Sequence, residues 1–351
     1  MKSVKINTAK EYEVIIGKGL LDSAGEFIKK AVPKVEKAAI VSDDNVAPIY
    51  LERVKDSLEK QGLEVCSYVF ANGEKSKNGE TFLEILNFFS KNELSRSDIA
   101  IALGGGVVGD VTGFAASCYL RGIGYVQLPT SLLAMVDSSV GGKTGIDLES
   151  GKNLAGAFWQ PELVLCDLDS LDTLSHEFFT DGCAEVFKYS ILGDKELFHH
   201  LLENGQGFDR EYVVSRCVEM KRDYVCADEF DRGLRQKLNL GHTIGHAIEK
   251  CSGYKISHGR AVAIGMAMMA RACAANEICD EACAKDITKG LEALSLATTS
   301  EFSADELLSP MFSDKKRSGG SINLIVPREI GNCHILPVEI EKLKDFIWMQ
   351  Q

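Results

Sequence analysis

Ile99-Ala-Ile-Ala-Leu103-Gly104-Gly105-Gly106-Val107-Val108-Gly109-Asp110 is the stretch that sets the fold class. Residues 99–103 are apolar without interruption and run straight into three glycines. A short run with no polar alternation reads as a strand buried on both faces, and residues 107–120 read as the apolar helix that follows it. Gly104, Gly106 and Gly109 match G-x-G-x-x-G at that strand-to-helix junction. Such a turn lets backbone N–H groups at a helix N-terminus approach a pyrophosphate. Alone the pattern is weak, because a plain glycine turn looks the same. It also follows the third main strand rather than the first, and no ribose-binding acid stands about twenty residues later.

The same alternation extends to both sides. Residues 4–6 and 12–16 read as a short hairpin, 37–42 as a buried strand and 47–61 as an amphipathic helix. Residues 63–70 read as strand, 77–91 as helix, and 124–128 and 163–167 as further strands. Strands alternating with helices predict an α/β, doubly wound, mostly parallel sheet of Rossmann-like type. Beyond residue 170 helical periods dominate, at 177–192, 195–202, 212–228, 234–251, 260–275 and 281–294, with a late hairpin at 322–326 and 333–336. The expectation is an α/β domain over residues 1–172 and a mainly α-helical domain over 173–351.

Composition narrows the function classes. A chain of 351 residues accommodates two domains with proper cores. No segment has 18 consecutive apolar residues, so no membrane span is expected. The start, Met1-Lys2-Ser3-Val4-Lys5, lacks the apolar stretch of a secretory signal, and a cytoplasmic location is the default expectation. The eleven cysteines are scattered without a CxxC pair, which predicts reduced, mostly buried thiols. A net charge of −12 argues against non-specific nucleic-acid binding and makes local basic clusters informative. In such a chain a basic pocket suits a small anionic ligand.

Several polar groups map to strand ends, where ligands collect in sheets of this kind. Asp43 and Asn45 follow the first buried strand, and Glu74 and Lys77 follow the next. Gly142-Lys143-Thr144 resembles the end of a phosphate-binding P-loop, but that pattern needs glycine five residues earlier and position 137 is Asp. An ATPase reading is therefore rejected. The surrounding stretch from Leu128 to Asp147, with Thr130, Ser131, Asp137 and Lys143, mixes small hydroxylated residues with charges and suits a ligand-lining segment, and Lys152-Asn153 belongs to the same neighbourhood.

The C-terminal half carries Arg235-Gln-Lys-Leu-Asn239-Leu-Gly-His242-Thr-Ile-Gly-His246, and then Ser257-His258-Gly259. On one helix Arg235, Asn239, His242 and His246 would fall at i, i+4, i+7 and i+11, a single polar stripe pointing into a polar cavity. Gly241 and Gly245 would each weaken that helix by about 1 kcal/mol relative to Ala. Their presence predicts close approach of a ligand or another backbone. His242 and His246 form an i,i+4 pair, and two histidines with one carboxylate would make a catalytic metal site with an open position. Spacing alone leaves open which of these two histidines joins His258, and whether Glu185 is the carboxylate. Glu185 and Lys188 lie at i and i+3; an isolated pair of this kind is usually a surface ion pair, but the small-residue context Asp181-Gly-Cys-Ala184 suggests a crowded, buried approach. Asp314-Lys315-Lys316-Arg317 is a basic run; most such runs are solvated faces, but in an acidic chain it could instead close over an anion.

Taken together these motifs resemble those of the 3-dehydroquinate synthases, over essentially the whole chain. The resemblance is carried by Gly104 to Asp110, Leu128-Pro-Thr-Ser through Asp147, Gly151-Lys-Asn-Leu-Ala-Gly156, Ala184-Glu-Val-Phe-Lys188, Leu238 to His246, and His258-Gly-Arg-Ala-Val-Ala-Ile-Gly265. It implies a metal held by Glu185, His242 and His258, zinc or in its place cobalt, with His246 facing substrate instead. It implies NAD against Asp43, Asn45, Glu74, Lys77, Gly105, Gly106, Asp110, Thr130, Ser131, Lys143, Lys152, Thr173 and Leu174. The implied substrate is a small anionic sugar phosphate, a seven-carbon heptulosonate. Its catalytic and binding groups would be Asp137, Lys143, Asn153, Lys188, Lys221, Arg235, Asn239, His246 and one of Lys315 or Lys316. Arg121 would reach across a homodimer interface.

The implied reaction is a phosphate-eliminating cyclisation with transient NAD reduction, the second step of the shikimate pathway. Two positions depart from the family pattern, His176 where Arg is common and Arg260 where Glu is common. Arg260 puts a reversed charge within two residues of His258. Three other readings compete: a sugar-phosphate cyclase making a different carbocycle, a metal-dependent polyol dehydrogenase that would release NADH, and a non-catalytic nucleotide-binding protein.

Overall fold

The computed structural model describes residues 1–313 and 320–348. In chain order the first elements are β1 (Lys2–Asn7), β2 (Glu11–Gly17), α1 (Ala24–Ala31), β3 (Lys37–Asp43), α2 (Ala47–Glu59), β4 (Glu64–Phe70), α3 (Gly79–Lys91), β5 (Ile99–Gly104) and α4 (Gly106–Cys118). Then come β6 (Gly124–Pro129), β7 (Lys143–Leu148), β8 (Gly151–Phe158), β9 (Leu163–Asp167), α5 (His176–Gly193), α6 (Lys195–Asn204) and α7 (Arg210–Ala227). The last are α8 (His242–Cys251), α9 (His258–Ala275), α10 (Glu281–Ala293), α11 (Ala304–Ser313), β10 (Ser321–Glu329), β11 (Asn332–Glu339) and α12 (Leu343–Trp348). They form two compact units, Met1–Ser175 with Arg210–Phe230, and His176–Asp209 with Asp231–Gln351. The division differs from a cut at 172/173 mainly in α7. That helix packs on β1 and β2, so it joins the first unit although its neighbours in sequence belong to the second.

The first unit is a seven-stranded sheet in the order β1-β2-β9-β6-β5-β3-β4. Only the β1–β2 hairpin is antiparallel; every other pairing is parallel, as the strand–helix alternation predicts. β5 lies between β3 and β6, and the pleat divides its side chains between two cores. Ile99, Ile101 and Leu103 pack in one cluster with Ile28, Val54 and Leu58 of α1 and α2. Ala100 and Ala102 pack in the other with Ile85 and Phe89 of α3 and Val108 and Val111 of α4. Burial on both faces is why the sequence of this strand shows no alternation.

Parallel registry aligns the strand ends. Asp43 pairs with Phe70, Ser42 with Leu103, and Gly104 with Pro129. The segments holding Asp43, Glu74, Gly104 to Gly106, Thr130 and Thr173 therefore all follow strands at the carboxyl edge of one sheet. Gly104 and Gly109 are required by close packing. A Cβ on Gly104 would lie 2.6 Å from Val108 Cγ2, and one on Gly109 2.6 Å from Gln127 Oε1.

The β7–β8 hairpin is the part of this unit that periodicity missed. Its strands cross at glycines, and a Cβ on Gly156 would sit 2.1 Å from the Thr144 carbonyl oxygen. Glycine carries no strand propensity, so the segment looks like a loop in sequence. Lys143 and Thr144 open β7, which also excludes a P-loop, since no helix follows them.

The second unit is helical apart from the β10–β11 hairpin, whose register runs from Ser321 opposite Glu339 to Glu329 opposite Asn332. α9 is its central helix, buried along most of its length, and packs against α5, α8 and α10. One expectation is corrected here. Residues 234–251 are not one helix. A 3-10 turn covers Leu234–Asn239, Leu240 is extended (ψ 126°), Gly241 is left-handed (φ +78°), and α8 begins at His242. The reason is the packing of α9: a Cβ on Gly241 would lie 2.6 Å from the Val262 carbonyl oxygen, and one on Gly265 2.1 Å from the Gly241 carbonyl oxygen. The glycines beside the histidines thus admit another backbone.

Among the described residues no helix is long and apolar enough to cross a membrane. All eleven cysteines are free thiols, seven of them buried.

Candidate functional site

In the second unit three donors converge. Glu185 is 1% exposed in the middle of α5, a helix buried from Phe179 to Leu192. Its Oε1 lies 3.4 Å from His242 Nε2 and 3.2 Å from His258 Nε2. His242 is the first residue of α8 and His258 the first of α9, so both rings project from helix N-termini toward α5. The other ring nitrogens are engaged outward, His242 Nδ1 3.0 Å from the Leu240 carbonyl oxygen and His258 Nδ1 3.3 Å from Glu249 Oε2. With both Nδ1 atoms donating, the neutral rings would present Nε2 lone pairs to a carboxylate oxygen. Lone pairs facing one another repel unless a cation or a proton lies between them. The donor set, two imidazoles and a carboxylate all within 4.8 Å, therefore fits a divalent cation with an open coordination position.

Electrostatics point the same way. Burial alone would raise the Glu185 pKa, but Lys188 and the two histidines hold it well below the ordinary value. Burial alone would lower that of His258, yet hydrogen bonds and charge from Glu185 and Glu249 raise it to about 10. The cluster attracts positive charge, whether a proton or a metal. His246, Glu249 and His258 are a second group close enough to share an ion. Glu249 was absent from the sequence reading, although its spacing, i+3 from His246 and i+7 from His242, was a usable signal.

Lys188 is 1% exposed, ion-pairs with Glu185 Oε2, and has its ammonium 5.0 Å from the Tyr189 ring centre. The crowded approach inferred from its small neighbours is what α5 shows. Arg235 is also buried, at 2% exposure, on the 3-10 turn before α8. Asn239 and His246 are exposed, and the His242 and His246 ring centres lie 5.5 Å apart. Arg260 turns away from the cluster. Its guanidinium is 4.0 Å from Glu177 at the surface, while its backbone N–H donates to Asp181 Oδ1 at 3.1 Å. His176 is exposed at the start of α5. Lys315 and Lys316 lie outside the described residues.

The first unit assembles a second polar group. Asp43 is buried and its Oδ1 accepts from the Asn45 and Val46 N–H groups at 3.0 and 2.9 Å. Burial raises its pKa above the ordinary 3.8 against those hydrogen bonds. Asn78 caps α3 by accepting from the Thr81 N–H, so Lys77 stays outside the helix expected over 77–91. Lys77 Nζ lies 2.6 Å from Asp110 Oδ2 and donates to Asn153 Oδ1 at 2.5 Å. Lys152 is 3.3 Å from Glu74, and Asp147 accepts from the Asn153 N–H at 2.8 Å. Asn153 holds a left-handed φ of +56°, which asparagine tolerates better than most side chains.

Gly105 caps α4, and a Cβ there would find only Ser131 Oγ, at 3.6 Å. Thr130 N–H donates to the Gly104 carbonyl, and Thr173 Oγ1 lies 2.5 Å from Tyr50 Oη, with Leu174 beside it. An acid after the first buried strand, a glycine turn on a helix N-terminus and hydroxyls at neighbouring strand ends suit a ribose and a pyrophosphate. Lys221 Nζ of α7 lies 2.8 Å from Asp137 Oδ1. Lys143 is exposed at the start of β7. Arg121 is exposed at a corner where Leu120 and Arg121 hold φ of +50° and +69°.

Known proteins resemble this chain over nearly its whole length. A family model described as 3-dehydroquinate synthase N-terminal matches residues 67–181, and one described as 3-dehydroquinate synthase C-terminal matches 182–317. The chain belongs to the 3-dehydroquinate synthase family. A 3-dehydroquinate synthase of Streptococcus thermophilus is 40% identical over 348 residues, and one of Streptococcus suis 41% over 343, each alignment covering 96% of both chains. Among solved structures, a 2-deoxy-scyllo-inosose synthase complexed with carbaglucose-6-phosphate, NAD+ and Co2+ matches with a TM-score of 0.90 at 22% identity, covering 100% of both chains. ValA, a 2-epi-5-epi-valiolone synthase from Streptomyces hygroscopicus with NAD+ and Zn2+ bound, matches with a TM-score of 0.88 at 25% identity, covering 99% of this chain and 98% of that one. This family member thus shares its fold with these two enzymes.

Proposed function

We propose that this chain converts 3-deoxy-D-arabino-heptulosonate 7-phosphate to 3-dehydroquinate and phosphate, as an NAD- and metal-dependent carbon–oxygen lyase. The observation that carries the reading is the convergence of His242 Nε2 and His258 Nε2 on one oxygen of Glu185, in a member of this family. Glu185, His242 and His258 would hold Zn2+ or Co2+. Asp43, Asn45, Glu74, Lys77, Gly105, Gly106, Asp110, Thr130, Ser131, Lys143, Lys152, Thr173 and Leu174 would line the NAD site.

When bound, the cation would polarise the substrate's C5 hydroxyl and NAD would accept and later return a hydride there, with no net redox change. The chain's own share is charge and position. Lys188, Lys221 and Arg235 are buried cations, and with Lys143 they would stabilise the charge that gathers on phosphate as it leaves. Removing a single charge-stabilising donor of this kind typically costs about 2.7–4 kcal/mol. Asp137 would hold Lys221 in place, and Asn153, Asn239 and His246 would contact the sugar. Arg121 would complete the phosphate site of a second copy in a cytoplasmic homodimer; its exposure at a strained corner supports that role.

The test is phosphate release from the heptulosonate phosphate, with NADH absorbance followed and a chelator added. Turnover without net NADH, lost on chelation and restored by Zn2+ or Co2+, is the expected result. Stoichiometric NADH would instead mark a dehydrogenase. His258→Ala should abolish both turnover and metal retention while NAD binding persists, and an active His258→Ala enzyme would remove the proposed metal site.

A further inference from the structure

Glu249 has no role in the reading above, yet it is a buried carboxylate, 3% exposed, on the histidine-bearing face of α8. Its Oε2 lies 3.3 Å from His258 Nδ1, the nitrogen opposite the one that faces Glu185. Burying a carboxylate costs free energy unless a donor or a charge compensates it. A ring N–H of His258 is within its reach.

The two donor groups that share His258 use its opposite nitrogens. A neutral imidazole offers a lone pair at only one of them. The arrangement around Glu185 is complete in this respect, because His242 Nδ1 faces the Leu240 carbonyl just as His258 Nδ1 faces Glu249. Charge adds a second reason. Lys188 pairs with Glu185 and offsets its negative charge. Glu249 then supplies a further negative charge, one imidazole away from where a dication would sit.

Resting on the metal reading given above, we propose that Glu249 is a positioning residue: it fixes the Nδ1–H tautomer and ring plane of His258, and so sets the affinity of the Glu185–His242–His258 centre for a divalent cation. Partners of this kind behind a metal-binding imidazole typically change metal affinity by about 10- to 100-fold when removed.

The experiment is titration of the metal-stripped protein with Co2+, read from the visible absorption of the bound ion and by competition with a chelator. Wild type, Glu249→Gln, Glu249→Ala and His258→Ala are compared. The expected order of affinity is wild type, then Glu249→Gln, then Glu249→Ala, because the amide oxygen still accepts from Nδ1–H but carries no charge. The alanine variant should lose about 10- to 100-fold in affinity and show an altered Co2+ spectrum.

A merely structural role would lower the melting temperature of the metal-free protein while leaving affinity and spectrum unchanged. That outcome overturns the proposal. The isosteric Glu249→Gln decides the matter alone if the alanine variant does not fold: wild-type affinity with a wild-type spectrum sinks it. Failure of the underlying reading is separable, since then the wild type takes up no Co2+ at this centre, or His258→Ala binds it as the wild type does. Either result removes the positioning role as well.

Discussion

Lys221 Nζ lies 2.8 Å from Asp137 Oδ1, although 84 residues separate the two in sequence. α7 brings the lysine to the turn that precedes β7, and both side chains are largely shielded, at 7% and 23% exposure. Lys221→Ala is expected to lower kcat/KM for the sugar phosphate by about 10²–10³-fold, the usual effect of deleting one charge-stabilising donor. NAD binding should be unchanged. The single variant should also lose about 1–3 kcal/mol of stability, because Asp137 is left without this partner. Pairing Lys221→Met with Asp137→Asn should recover the stability but not the activity. Denaturant unfolding and steady-state kinetics on the same preparations check both halves.

Asp43 offers a pH test. Burial raises its pKa above 3.8, so it is protonated in the folded chain at a higher pH than an ordinary carboxylate. In the proposed NAD site the charged form would be the better acceptor for the ribose hydroxyls. NAD affinity should therefore fall on acidification with a midpoint above 3.8, and Asp43→Asn should abolish that part of the pH dependence. The stability sign is opposite to that of a salt-bridged acid. With the folded pKa above the unfolded one, the folded state holds the extra proton between the two values, and stability falls as pH rises through that window. At neutral pH the unliganded Asp43→Asn variant should melt at or above the wild-type temperature while binding NAD more weakly. Calorimetry across pH measures both.

Gly241 and Gly265 form a backbone contact that sets where α8 starts. Gly241→Ala is expected to cost about 1–2 kcal/mol for the left-handed backbone alone, with further loss from overlap with Val262 and Met266. Gly265→Ala should be worse, since its Cβ would fall 2.1 Å from a carbonyl oxygen that cannot move aside as a side chain does. Gly79→Ala is the control: nothing lies within 4 Å of its added Cβ. Urea midpoints rank the three, and both destabilised variants should also lose divalent metal.

Arg260 places a positive charge two residues from His258, and sequence alone makes that a candidate perturbation of the metal centre. Its guanidinium is half exposed and faces Glu177 rather than the histidines. Arg260→Ala should therefore bind Co2+ with wild-type affinity and spectrum. A clear change in either would show that the side chain acts on the centre.

Much of this molecule was legible before any coordinates. Buried strands such as residues 99–103 and the glycines at their ends carry their own signal, because burial on both faces removes alternation and a tight turn requires glycine. Periodicity misled where local preference and packing disagree. Residues 234–251 keep a helical polar spacing, yet the close approach of α9 forces a left-handed glycine and splits them. The β7–β8 hairpin was invisible for the related reason that its strands cross at glycines, which tertiary contact demands and propensity disfavours.

The amino-acid order alone determined that a parallel α/β unit precedes a helical one, that the glycine turn caps a helix, and that an acid, several cations and three histidines are available for anion and metal chemistry. Each of these depends on spacing within one segment. Only the tertiary structure decided that Glu185 faces both His242 and His258, that Glu249 stands behind His258, that Lys221 meets Asp137, and that Arg260 looks outward. Those relationships join residues on different elements, from nine to 84 positions apart. The packing of whole helices positions them to within a few ångströms, and no local sequence pattern records that distance.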